Sequence, residues 1–142
     1  MTYLHFMNRK QLLEELTNNT WCMLKPSLLH GIGVFAARDI PQGCREMFSK
    51  GIGKWLAVSR TEVDHLPEHS KALIENFCLY DTDNYFIPDY GFKLMDLAVF
   101  INHSEAPNII SIDDGEEFET TRMIKAGEEL LINYGEIVES EE

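Results

Sequence analysis

Three clusters of side chains in this chain could do chemistry. His65-Leu66-Pro67-Glu68-His69 has the H-x-x-E-H spacing of one class of zinc site, in which two histidines on one helical face hold the metal and the glutamate acts as base. Pro67 argues against that use. Proline lacks an N–H and disfavours helix in the residue before it, so His65 is expected to lie outside the helix that carries His69. No further carboxylate ligand is signposted, and no metal is expected. The second cluster, Asn102-His103-Ser104-Glu105-Ala106-Pro107-Asn108, follows the apolar run Leu97-Ala98-Val99-Phe100-Ile101 and gathers side chains that cap, turn and hydrogen-bond locally. The third, Gly127-Glu128-Glu129-Leu130-Leu131-Ile132-Asn133-Tyr134-Gly135, ends a β-like run on Tyr134, whose hydroxyl can both donate and accept. Taken singly, His103 reads as a histidine satisfied by backbone in a buried turn, and Tyr134 as a half-buried aromatic with its hydroxyl tied to backbone.

The elements that must position these residues are mostly short and β-like. Asn8 and Gln11 form a capping-box pattern, and Leu12, Leu13 and Leu16 share one helical face, which predicts an amphipathic helix over residues 8–17. β-like runs follow at 21–24, 32–36, 85–87, 109–112, 118–121 and 130–133, mostly bounded by Gly, Pro, Asn or Asp. Helix interrupts them in the middle. Ser59 with Glu62 is a second capping-box pattern, Pro67 suits a first helical position, and Leu73, Ile74, Phe77 and Cys78 recur at helical spacing, with an end expected near Asp81. Gly31-Ile32-Gly33 precedes a β-like run, whereas dinucleotide-binding glycines follow a strand and open a helix. Two glycines flanking one residue can instead bring backbone close to a ligand. Arg38-Asp39-Ile40-Pro41-Gln42-Gly43 also resembles Arg122-Met123-Ile124-Lys125-Ala126-Gly127, each reading as strand, tight turn, strand, with glycine supplying the turn's backbone angles.

Composition bounds the function. With 142 residues, 44% of them hydrophobic, the chain suits one domain with one core. A net charge of -12 argues against nucleic acid, which calls for clustered Lys and Arg, and favours basic ligands. The three cysteines, Cys22, Cys44 and Cys78, are widely spaced and form neither a disulfide framework nor a metal knuckle, which points to a reducing, intracellular setting. No signal peptide and no apolar run of about 20 residues is present, so a soluble protein without membrane association is expected.

In chain order, Gly31-Ile32-Gly33 with the run to Gly43, then Phe100-Ile101-Asn102-His103-Ser104 with Pro107-Asn108, then Gly127-Glu128-Glu129-Leu130 with Tyr134-Gly135, resemble the motifs of the SET-domain protein-lysine methyltransferases. The resemblance covers about residues 22–136. It implies a mainly β (α+β) fold, a β-clip of short sheets and a few short helices in which the Asn-His and Tyr segments thread together in a knot-like way. The domain is expected over 21–136, with an N-terminal helical extension over 1–20 and an acidic tail over 137–142. The implied cofactor is S-adenosylmethionine, with Gly31, Ile32 and Gly33 at its methionine part and Asn102 and His103 at its adenosine end. Tyr134 is implied as the catalytic residue, which also borders the cofactor and lines a substrate-lysine channel. Ile101, Tyr85, Phe86 and Tyr90 are expected as further channel residues.

The implied substrate is a basic protein or peptide, histone-like or other, lying extended along a sheet edge with its lysine inserted. Departures from the pattern are also legible. Glu105 stands where a Cys is common, Asn133 replaces a frequent Asp, and Ile132 takes a position often held by an aromatic that limits methylation. No Cys cluster follows Gly135, so the resemblance is to members without a zinc-binding tail. Closure of the cofactor pocket then falls to Ile137 and Val138, to a second subunit in a homodimer, or to bound substrate. A non-catalytic SET-like cofactor- or protein-binding module is the alternative reading.

Overall fold

The computed structural model describes residues 7–48 and 54–137; the first six residues of the expected extension and residues 138–142 of the expected tail lie outside the described residues. Helix α1 spans Arg9–Asn18. Asn8 caps it through the reciprocal bonds expected with Gln11, 2.9 Å from the Gln11 N–H and 3.0 Å from the Asn8 N–H to the glutamine oxygen. Its leucines, Leu12, Leu13 and Leu16, remain exposed, so the apolar face that the sequence predicts covers nothing among the described residues.

Among the described residues eight short strands follow, arranged in four two-stranded sheets. Strand β1 (Cys22–Pro26) pairs antiparallel with β2 (Ile32–Ala36), placing Gly31 at the hairpin's end. Strand β3 (Trp55–Ser59) pairs with β4 (Asn84–Pro88), and helices α2 (Arg60–Asp64) and α3 (Glu68–Phe77) lie between them in the chain. A 3-10 turn at Leu97–Phe100 leads into β5 (Asn102–His103), then the hairpin β6 (Ile109–Ile112) and β7 (Glu117–Thr120). Strand β8 (Leu131–Ile132) returns to pair in parallel with β5, and a 3-10 turn follows at Tyr134–Glu136. The Asn-His and Tyr segments therefore run side by side as the resemblance implies.

Two apolar clusters hold this together. The larger joins Val34, Ala36, Ile40, Ile101, Ile109, Ile124, Leu130 and Ile132, so every sheet but β3–β4 contributes to it. The smaller packs Val63, Ile74 and Cys78 under Val58, Tyr85 and Ile87 of the β3–β4 sheet. Burial of each such side chain is worth about 1.5–3 kcal/mol, which is how strands of only two residues persist.

The two copies of the internal repeat pair with each other. Ile40 and Ile124 exchange both backbone bonds, at 2.7 and 2.8 Å, and both are fully buried. Around them the bonds repeat at equivalent positions: the Gly43 N–H donates to the Thr120 carbonyl at 2.9 Å and the Gly127 N–H to the Ala36 carbonyl at 2.8 Å. Gly43 and Gly127 take φ of +81° and +90°, the left-handed angles expected of them.

The fold differs from expectation at two elements. Helix α3 ends at Phe77, short of Asp81, because Cys78 turns extended (φ -108°, ψ 141°) and is buried in the smaller cluster. Asp81 instead organises the next turn, its Oδ1 accepting from the Asp83 and Asn84 N–H groups at 2.9 and 2.7 Å. Strand β3 was not expected: its first three residues, Trp55, Leu56 and Ala57, are all exposed, so it shows no alternation of burial, and its pairing with β4 is long-range. The break at Pro67 is as expected, with His65 closing α2 and His69 in the first turn of α3. Among the described residues no helix is long and apolar enough to cross a membrane.

Candidate functional site

The named residues gather around the β5–β8 pair in two contact groups. The Asn102 side chain lies beside Gly33 and bonds His30, next to Gly31 in the chain. Gly31 sits at φ +46°, a left-handed turn position with open space where a side chain would be. Gly33 is glycine for a different reason. A Cβ there would run into the Glu129 carboxylate, 2.8 Å from its Cδ, and would lie 3.1 Å from Asn102 Nδ2. Asn102, only 6% exposed, donates through Nδ2 to the His30 carbonyl at 3.0 Å and to Glu129 Oε2 at 2.7 Å.

The pairing itself is locked by Asn108, which is 3% exposed. Its side chain donates to the Glu129 carbonyl at 2.9 Å and accepts from the Leu131 N–H at 2.8 Å. Ser104 adds a backbone bond to Ile132 at 2.9 Å. The apolar residues Ile101 and Ile132, buried on either strand, leave these polar groups no water to turn to, so each must be satisfied within the pair.

Tyr134 contacts β5 and the residue before it. Its hydroxyl donates to the Ile101 carbonyl at 2.7 Å, and its N–H donates to His103 Nδ1 at 3.1 Å, with the two rings 5.1 Å apart. As His103 Nδ1 accepts, the neutral ring places its proton on Nε2. Asn133 caps the turn that follows by accepting from the Gly135 N–H at 3.0 Å, a bond that an Asp in its place can also accept.

Tyr134 borders a cavity of about 750 Å³. Ile101, Phe86 and Tyr90, three of the residues expected in a channel, line it together with Phe77, Phe118, Ile132 and Ile137. Tyr85 does not. Neighbouring residues of a strand point to opposite faces, so Tyr85 on β4 turns away from the side that Phe86 occupies. It packs in the smaller cluster beside Tyr80, at 5.6 Å, and the Arg60 guanidinium, at 5.3 Å.

The cavity carries an acidic lining that the sequence reading missed: Asp81, Asp96, Asp113, Asp114 and Glu116 contribute, against Lys54 as the one cation among the described residues. Asp113, Asp114 and Gly115 all take positive φ, at 54°, 54° and 89°, at the tip of the β6–β7 hairpin. The Asp-Gly pair was the legible signal of that turn; its proximity to Tyr134 was not. Burial pushes the Asp96 carboxyl above its ordinary range, offset in part by the Ala98 and Leu97 N–H groups. Tyr90 is raised as well, by burial first and then by the charges of Asp96 and Asp89.

The model of the SET domain family matches residues 31–135. Among solved structures, Polycomb Repressive Complex 2 of Chaetomium thermophilum, in its apo form, contains a region similar to this chain at 22% identity and TM-score 0.56. A humanized, inhibitor-bound form of the same complex gives 22% identity and TM-score 0.54. Each likeness covers 89% of this chain but 18% of the other, so this chain spans under a fifth of those chains. A Plasmodium falciparum protein described as a candidate histone methyltransferase is 19% identical over 82% of this chain and 94% of its own, with TM-score 0.46. No curated protein matches the sequence.

Proposed function

This chain belongs to the SET domain family, and we propose that it transfers methyl groups from S-adenosylmethionine to lysine side chains of a basic protein. The observation that carries this reading is the Tyr134 hydroxyl, fixed at 2.7 Å on the Ile101 carbonyl beside a cavity that Ile101, Ile132 and Phe86 also line. The residues suit the cofactor. Gly31 leaves open space, and Asn102 Oδ1 is an acceptor without a partner among the described residues, fit for a cofactor N–H. Gly31, Ile32 and Gly33 would hold the methionine part, and Asn102 and His103 the adenosine end.

When bound, S-adenosylmethionine supplies an electrophilic methyl group on a positively charged sulfur. The protein's part is to present a neutral, aligned amine in a site shielded from water. A free lysine has a pKa of about 10.4, and the apolar walls formed by Ile101, Ile132, Phe86 and Phe118 disfavour its charged form. Tyr134 spends its proton on Ile101, so its oxygen lone pairs face the amine as acceptors and orient it. The carboxylates around the cavity complement the basic residues that would flank a target lysine. The division into an extension over 1–20, a domain over 21–136 and a tail over 137–142 belongs to the same proposal.

The test is transfer of labelled methyl from S-adenosylmethionine to basic proteins, read by mass spectrometry, with Tyr134→Phe as control. Methylated lysines that disappear in the variant support the reading, and full activity in the variant overturns the role of Tyr134. Cofactor binding without transfer to any basic protein identifies a non-catalytic module instead.

A further inference from the structure

We propose that Glu129 is a positioning residue of the cofactor site, holding the Asn102 amide in one orientation and tying it to the loop that carries Gly31 and Gly33. This rests on the cofactor reading above, which gives the glycines and Asn102 but no role to Glu129.

Both carboxylate oxygens are engaged. Glu129 Oε2 accepts from Asn102 Nδ2 at 2.7 Å, and Oε1 accepts from the Ser27 hydroxyl at 2.7 Å. The same Ser27 oxygen accepts from the Leu29 and His30 N–H groups at 3.0 and 3.4 Å, so the carboxylate reaches the β1–β2 loop through one hydroxyl. Asn102 spends its second amide proton on the His30 carbonyl at 3.0 Å.

An amide held this way cannot flip. Reversed, its Oδ1 would face two acceptors, Glu129 Oε2 and the His30 carbonyl, in a position only 6% exposed. Nδ2 is therefore committed to the protein, and Oδ1 is left to accept from an N–H donor of the cofactor. A charged acceptor makes the stronger restraint, since such bonds are roughly twice as strong as neutral ones. Gly33 completes the arrangement: a side chain at 33 would displace the Glu129 carboxylate, so glycine there serves the restraint rather than a left-handed turn.

The experiment is calorimetric titration of S-adenosylmethionine into the wild type, Glu129→Ala, Glu129→Gln and Ser27→Ala, with thermal melting of each. Side-chain amide exchange of Asn102 is followed by NMR in the cofactor-free protein. Glu129→Ala is expected to weaken cofactor binding about tenfold and to speed exchange of the Asn102 amide protons. Gln at 129 keeps an oxygen that accepts from Asn102, so Glu129→Gln is expected to stay within about threefold of the wild type. Ser27→Ala should fall between them.

Wild-type affinity in Glu129→Ala overturns the proposal. So does an equal loss in a folded Glu129→Gln, which would assign the charge to direct contact with the cofactor. Should Glu129→Ala fail to fold, Ser27→Ala decides, and unchanged affinity in it overturns the proposal. A wild type that binds no cofactor sinks the cofactor reading, whereas slow Asn102 exchange, kept in Glu129→Gln and lost in Glu129→Ala, is read without any cofactor.

Discussion

Under the proposed function Tyr134 serves both fold and chemistry, and the two can be separated at a single atom. Tyr134→Phe removes the bond to the Ile101 carbonyl, with an expected loss of about 1 kcal/mol in stability, while methyl transfer is expected to vanish. Denaturant melts alongside the transfer assay check this, and a variant that is inactive because it is unfolded would contradict it. Asp96 gives a pH dependence of known sign. Its carboxyl is raised in the fold, so the native state binds the proton more readily than the unfolded chain, and its contribution to stability falls as pH rises through that raised value. Asp96→Asn keeps an oxygen for the Ala98 N–H, 3.3 Å away, and is expected to raise the melting temperature at neutral pH and to change it little under acid conditions. An equal effect at both pH values would refute the assignment. Burial, with Cys44 nearby, pushes the Cys22 thiol up to about 12, so it is expected to resist alkylation in the folded protein at mildly alkaline pH.

At the scale of elements, the related segments around Ile40 and Ile124 form the joint of the larger core. Gly43 and Gly127 both sit at left-handed angles with open space beside them, so alanine at either costs backbone strain alone, about 1–2 kcal/mol. Equal losses in the two variants are expected by chemical denaturation, and a tenfold difference in folding constant between them would deny their equivalence. Thr120 is 1% exposed, donates to the Pro41 carbonyl at 2.7 Å and accepts from the Cys44 N–H at 2.9 Å. Thr120→Val strands both groups, for an expected loss of about 2–4 kcal/mol by the same measurement. The capping boxes at Asn8 and Ser59 were legible because a cap is decided within three residues. The end of α3 was not, because Cys78 leaves the helix to fill a cluster assembled from distant strands.

Across the whole molecule the charge of -12 gathers partly at the cavity that Tyr134 borders. Asn tolerates the left-handed angles of residues 113 and 114, so the double substitution Asp113→Asn, Asp114→Asn is expected to keep the hairpin while raising KM for a basic peptide and flattening its salt dependence, with kcat unchanged. An unchanged KM would remove these carboxylates from substrate recognition. The sequence by itself determined the helix caps, the strands β2 and β6, the family and the pair of glycines, because each rests on residues near one another or on a motif carried intact. It also named Tyr134, Asn102 and His103. Only the tertiary structure decided that Glu129 stands between Gly33 and Asn102, that Phe86 rather than Tyr85 lines the cavity, and that an acidic hairpin tip contributes to it. Those facts depend on contacts between segments far apart in the chain, which packing and strand register select and local pattern does not encode.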